Sequence, residues 1–201
     1  KWGRIQVGWA SPTLTNLIVK NNSTTFRGGG ISMGGNPTLS NVVIKGNSAE
    51  GYGGGIYKTA APDDSDETFL SNVLIIGNST GYNGGGIYLS GGSNMILTNV
   101  TIANNSHQNQ GGGIFLRDSC SVNLVNSIVR DNEHPEIYFD TFGDQSHPND
   151  ITVAYSNITG GLDGIITNDN GTITWGDGNV DIDPLFLDAD SADYHLSDLS
   201  P

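Results

Sequence analysis

Three groups of side chains in this chain are of types that could do chemistry. The first is acidic. Asp63, Asp64, Asp66 and Glu67 lie within residues 59–68, Asp140, Asp144, His147 and Asp150 within 139–150, and Asp177, Asp181, Asp183, Asp188, Asp190 and Asp193 near the end. Clustered carboxylates beside Ser and Thr oxygens suit a hard cation, so Asp63, Asp64, Asp66 and Glu67 form a candidate Ca2+ site. None of these runs has the Gly and Glu positions of an EF-hand loop. The second group is aromatic: Tyr57, Tyr88, Phe115 and Tyr138 each follow an Ile in a recurring block. Aromatic faces cover the apolar faces of sugar rings while nearby carboxylates and amides bond the hydroxyls, which makes these four a candidate ligand-binding set. The third group is sparse. His107, His134, His147 and His195 have no metal-ligand spacing, and Cys120 is the only cysteine, which excludes an intramolecular disulfide and a multi-thiolate metal site.

The elements that must carry these side chains are strands. Asn, Gly, Ser, Thr, Ile and Val dominate while Ala, Glu and Lys are scarce, a balance that favours strands and turns over helices. The formal net charge of −13 argues against nucleic acid and anionic membrane surfaces as partners. It fits an acidic secreted or cell-surface protein, or one whose carboxylates hold calcium. The charge is also split. Residues 1–130 hold all eight Lys and Arg against six acids, whereas residues 131–201 hold fifteen acids and no Lys or Arg. No apolar run is long enough to span a bilayer as a helix, and the abrupt start at Lys1 and stop at Pro201 suggest a mature fragment.

Two blocks recur in register. One reads Leu39-Ser-Asn41-Val-Val-Ile-Lys-Gly-Asn47 or Leu97-Thr-Asn99-Val-Thr-Ile-Ala-Asn-Asn105; its first Asn falls at Asn16, Asn41, Asn72, Asn99, Asn126 and Asn157, spacings of 25, 31, 27, 27 and 31. The other is Gly-Gly-Gly-Ile, at 28–31, 53–56, 84–87 and 111–114, with a fifth copy surviving as Glu136-Ile137-Tyr138. Both blocks alternate with period two and are bounded by turn residues, so both are short strands. A period near 27 holds two or three such strands and their corners, and stacked coils sit about 4.8 Å apart. The fold class is all-β: a right-handed parallel β-helix solenoid of roughly six coils. Residues 1–201 form one domain, with an N-terminal edge over 1–13, regular coils over 14–160 and an irregular acidic C-terminal coil and cap over 161–201.

Alternation assigns each column a face. Leu14, Leu39, Leu70, Leu97 and Leu124 point inward, as do Val42, Val73 and Val100, and Val19, Ile44, Ile75, Ile102 and Val129. Ile18, Val43, Leu74, Thr101 and Ile128 point outward, followed by Lys20, Lys45, Ile76, Ala103 and Arg130. No carboxylate lies in either outward column, and Arg130-Asp131 reads as an ordinary surface ion pair. The six Asn form one corner, where this residue tolerates left-handed backbone and its amide bonds the coils above and below. Ser32, Tyr57, Tyr88, Phe115 and Tyr138 form an outward column. The two insertions, 59–68 and 139–150, leave the same corner and flank it.

The Gly-Gly-Gly-Ile-Tyr and Leu-x-Asn-Val-x-Ile-x-x-Asn blocks resemble the repeats of polymorphic outer-membrane and related bacterial surface proteins of the pectate-lyase-like superfamily. The ending Gly178-Asn-Val-Asp-Ile-Asp-Pro-Leu-Phe186, with Asp193-Tyr-His-Leu-Ser197, resembles the closing segment of secreted "choice-of-anchor" β-helix proteins. The resemblance covers about residues 10–200. It implies a secreted or outer-surface location and a choice among adhesin, structural exoprotein and polysaccharide enzyme. Lyases of this fold use carboxylates holding calcium plus an Arg or Lys base, and hydrolases a cluster of Asp residues. The outward columns lack such paired groups. The expectation is therefore a recognition module that binds a polysaccharide or host glycan along the Tyr57, Tyr88, Phe115, Tyr138 column. Polysaccharide lyase or glycoside hydrolase is the alternative, and assembly through coil ends or the apolar outward column a third. By its net charge, the chain favours a neutral or cationic glycan.

Overall fold

The computed structural model describes residues 4–60, 67–140, 146–189 and 193–201. The alternating blocks form strands that stack rung upon rung. One parallel sheet runs in chain order through Ile5–Val7, Ile31–Met33, Ile56–Thr59, Ile87–Ser90, Ile114–Arg117, Ile137–Phe139 and Ile165–Ile166. A second runs through Thr13–Lys20, Thr38–Lys45, Glu67–Ile76, Asn94–Ala103, Ser121–Val125, Asn149–Ala154 and Gly171–Trp175, with Ile128–Arg130 and Asn157–Ile158 extending two interrupted rungs. A third, of two-residue strands, joins Ser23–Thr24, Ser48–Ala49, Ser79–Thr80 and Ser106–His107. The chain is thus a right-handed parallel β-helix, and no described helix is long and apolar enough to cross a membrane.

The core is built from identical residues in register. Ile5, Ile31, Ile56, Ile87, Ile114, Ile137 and Ile165 stack in one inward column. Against it lie the Leu column, of which Leu39, Leu70, Leu97 and Leu124 are fully buried, and the Val and Ile columns ending in Val100 and Val129. Each such side chain contributes about 1.5–3 kcal/mol by leaving water, and the loss is shared between neighbouring coils. One inward position departs from the pattern: Lys58, between Met33 and Leu89, is fully buried, and its Nζ donates to the Thr59 carbonyl at 3.1 Å.

Two asparagine ladders hold the corners. Asn16, Asn41, Asn72, Asn99 and Asn126 all adopt left-handed backbone, φ between 49° and 55°, and the exposed amides of the first four are joined by bonds of 3.3 Å. The expected sixth member, Asn157, is not in this corner. Ala154 pairs with Val125 and Asn157 with Ile128, so Tyr155, φ 51°, takes the place opposite Asn126. Serine marks the true register: Ser127 and Ser156 play the same role in successive rungs, each Oγ accepting the backbone N–H of the rung before at 3.1 Å. Asn157 instead stands in the outward column, where its Oδ1 accepts from Arg130.

The second ladder is buried. The Oδ1 atoms of Asn47, Asn78, Asn105 and Asn132 each accept both the N–H and the Nδ2 of the preceding Asn, beginning at Asn22, at 2.8–3.0 Å. Each of these four Nδ2 groups also reaches back to a carbonyl of the preceding coil, Val19, Ile44, Ile75 or Ile102. The triple glycines make room for it. The first of each triplet has φ between 68° and 73°, and a Cβ on Gly55 would lie 2.6 Å from the Gly86 carbonyl and 3.1 Å from Asn78 Nδ2. The ladder stops where the glycines do. Glu136 occupies the third-glycine place opposite Gly113, and its carboxylate accepts Asn132 Nδ2 at 2.6 Å and Asn132 N–H at 3.3 Å.

Candidate functional site

The aromatic column is present and points away from the coil, but its faces are spent on one another. Tyr57, Tyr88, Phe115 and Tyr138 stack with ring centroids 5.5, 5.0 and 5.5 Å apart and nearly parallel planes, 13°, 8° and 17°. Tyr57 is 8% exposed, Tyr88 3% and Phe115 1%, leaving only Tyr138 half-buried. The stack is a small second core on the outer face of the first sheet, each pair adding about 0.5–1.5 kcal/mol beyond its buried area. Burial pushes the Tyr88 hydroxyl well above the usual tyrosine range, opposed by its hydrogen bond to Arg117. A ligand ring has no open face along the middle of this column.

The accessible aromatics lie at its edge, on residues that the strand periodicity does not select. Tyr52 packs its ring 4.8 Å from Tyr88 and 5.4 Å from Tyr82, which is 54% exposed. Both belong to Gly-Tyr pairs, Gly51-Tyr52 and Gly81-Tyr82, just before the glycine triplets. That is the signal by which they could have been found. The aromatic path therefore runs from buried Phe115 through Tyr88 and Tyr52 to the surface at Tyr82.

Beside this path is a cup of about 230 Å3 lined by Arg27, Tyr52, Tyr57, Tyr88, Ser90, Arg117 and Asp118. Arg27 leans over two of the rings, its guanidinium carbon 5.5 Å from the Tyr52 centroid and 5.2 Å from that of Tyr57, and donates to the Tyr57 hydroxyl at 2.9 Å. Its backbone carbonyl accepts from Arg4 at 2.8 Å. Neither Arg4 nor Arg27 has a carboxylate within 4.0 Å among the described residues, whereas Arg117 Nε lies 3.2 Å from Asp118 and 3.6 Å from Asp140. Arg27, the tyrosine hydroxyls and Ser90 give the cup polar groups, and the half-buried ring of Tyr52 gives it a stacking edge.

The acidic groups are placed differently. Asp63, Asp64 and Asp66 lie outside the described residues; Glu67 is exposed at the start of Glu67–Ile76. Among the described residues no three His, Cys, Asp or Glu side chains gather as a metal site. Arg130 pairs with Asp181 at 2.7 Å, not with its neighbour Asp131. The acidic end turns back along the side of the coil: the antiparallel pair Phe186–Asp188 and Asp193–Leu196 brings the Tyr194 hydroxyl to accept from Asn104 Nδ2. There Asp193, Tyr194 and His195 border a groove of about 400 Å3 floored by Asn41, Asn72, Asn99, Val43, Leu74 and Thr101. The Asp193 carboxyl, 2.5 Å from His195 Nδ1, is held below the usual carboxylate range by that hydrogen bond.

Residues 10–180 match the family described as right-handed beta helix region. No curated protein and no solved structure is similar enough to match.

Proposed function

The chain belongs to the right-handed β-helix family, and we propose that it is a secreted or cell-surface recognition module that binds a polysaccharide at the cup beside Tyr52 and Tyr82. The observation that carries this reading is the aromatic path from Tyr82 through Tyr52 to Tyr88, bordering a polar cavity with Arg27 over its rings. A sugar ring can stack on the open edge of that path while Arg27, Ser90 and the tyrosine hydroxyls bond its hydroxyls. A rigid stack behind Tyr52 favours binding, since little side-chain freedom is lost when the ligand arrives. The local charge also matters. Although the whole chain is −13, the cup holds Arg27 with Arg4 behind it, so a neutral or carboxylate-bearing sugar is accommodated there.

The test is retention on a glycan array, followed by titration of the best ligand. Tyr52→Ser with Tyr82→Ser should lower affinity at least about tenfold while circular dichroism stays that of the parent. Phe115→Ser is the wrong probe, because that ring is in the small core and its loss would cost stability directly. Unchanged binding in the Tyr52, Tyr82 double variant would place the site elsewhere. Shortened polysaccharide chains in the reaction mixture would favour the lyase or hydrolase reading instead.

A further inference from the structure

The groove between the returning hairpin and the outer face of the second sheet repeats rung by rung, and we propose that it is a second binding site, for an extended neutral glycan. It lies on the second to fourth rungs of that sheet, within the stack. Asn41, Asn72 and Asn99 form one side, and Val43, Leu74 and Thr101 the floor. The floor runs along the axis of the coil, since Val43, Leu74 and Thr101 pair in register.

The amides have bonding capacity to spare. An Asn side chain carries two N–H donors and an oxygen with two lone pairs. Asn72 Nδ2 donates to Asn41 Oδ1 and Asn99 Nδ2 to Asn72 Oδ1, each at 3.3 Å, and Asn41 Nδ2 donates likewise to Asn16. Asn41 and Asn72 thus spend one donor and one acceptor along the ladder and keep one of each. These exposed amides offer the same donor–acceptor pair on successive rungs, about 4.8 Å apart. The ladder holds them in place, so little freedom is lost when a ligand arrives.

The rest of the groove suits a sugar ring. Val43 and Leu74, both half-buried, can cover its apolar face, and the Thr101 hydroxyl adds a polar contact. Tyr194 stands on the far wall, its ring packed edge-on against Phe186 with centroids 4.9 Å apart. The charges at the margins are of opposite sign: Asp193, held by His195, on that wall, and Lys45, two residues beyond Val43 on the same face. A neutral ligand meets both without repulsion. Flat, equatorially linked glycans advance by close to a rung per sugar and keep step with the amides. An extended peptide repeats on one side every second residue, about 6.6 Å, and falls out of step.

An open groove of neutral groups binds weakly, in the millimolar range, so it escapes an array that retains ligands of the cup. Heteronuclear NMR titration of the isotopically labelled chain with cellotetraose should saturably shift the Asn72 and Asn99 Nδ2 resonances and the Thr101 and Tyr194 signals. Affinity should rise at each step from cellobiose to cellotetraose. Maltotetraose, the same glucose units on a coiled chain, should bind at least about fivefold more weakly, and tetra-alanine should shift nothing there. Asn72→Gly with Asn99→Gly keeps the left-handed corner and should lower cellotetraose affinity at least about fivefold. Unmoved groove amides, maltotetraose or tetra-alanine binding as well as cellotetraose, affinity that does not grow with length, or a double variant that binds like the parent would each overturn the proposal. Tyr52 and Tyr82 report on the cup in the same spectra, so the two sites stand or fall separately.

Discussion

Asn78→Ala tests how much the buried ladder contributes. Asn78 is fully buried. Its Oδ1 accepts Asn47 N–H and Asn47 Nδ2, and its Nδ2 donates to the Ile44 carbonyl and Asn105 Oδ1, all at 3.0 Å. Removing the amide deletes these four bonds, each worth about 1 kcal/mol net, and leaves the Asn47 N–H and the Ile44 carbonyl buried without those partners at about 1–3 kcal/mol each. The expected loss is about 4–7 kcal/mol, allowing for some relaxation or an entering water. Asn72→Gly is the control. That exposed Asn makes two amide bonds of 3.3 Å at φ 55°, a backbone Gly adopts freely, so its loss should stay within about 1 kcal/mol. Equilibrium urea unfolding followed by circular dichroism measures both. Asn78→Ala within about 1 kcal/mol of the parent would refute the claim that the ladder is a principal tie between coils.

Further outcomes follow from the same structure. Burial raises the Glu136 carboxyl to about 7, against the opposing bonds from Asn132 and Thr159. Its folded pKa exceeds its unfolded one, so its contribution is complete below about pH 4.5 and is lost as pH rises through 7, on the order of 3 kcal/mol in all. Glu136→Gln should remove that part of the pH–stability slope in urea titrations at pH 5 and 8, and an unchanged slope would count against it. Ile87→Ala or Ile102→Ala, both at 0% exposure, should cost about 2–5 kcal/mol, and Ile18→Ala, at 66%, less than about 1; equal losses in the monomer would reverse the face assignment. If the Asp63, Asp64, Asp66 and Glu67 cluster holds calcium, millimolar Ca2+ should raise the melting temperature by mass action, and no shift with no calorimetric heat would leave those acids as a solubilising surface.

The columns of Leu, Val and Ile were readable because a core shared between coils demands the same residue type at each rung, and burial follows them from Leu39 to Val129. The exposed Asn corner was readable for five rungs. It slipped at the sixth because Asn157 matches in type, while the ladder is set by Ser127 and Ser156. The aromatic column was correctly placed on the outer face. Alternation, however, reports only which side a residue points to, not what covers it, so the stacking that seals Tyr88 and Phe115 could not be read. Tyr52, Tyr82 and Arg27 escaped notice because they sit in corners, where period-two patterning is silent. Lys58 in an inward column, and Glu136 ending the ladder, are single departures from a repeat; repetition identifies their places but not their partners.

The most direct test of the glycan reading is a heteronuclear NMR titration of the isotopically labelled chain with the oligosaccharide that the array retains best. Binding at the cup should give saturable shifts of the Tyr52, Tyr82 and Ser90 resonances and of the Arg27 guanidinium, with the inward Ile column unmoved. Shifts confined to Asp193, Tyr194 and His195 along the Asn41–Asn72–Asn99 groove, with the cup silent, would contradict it.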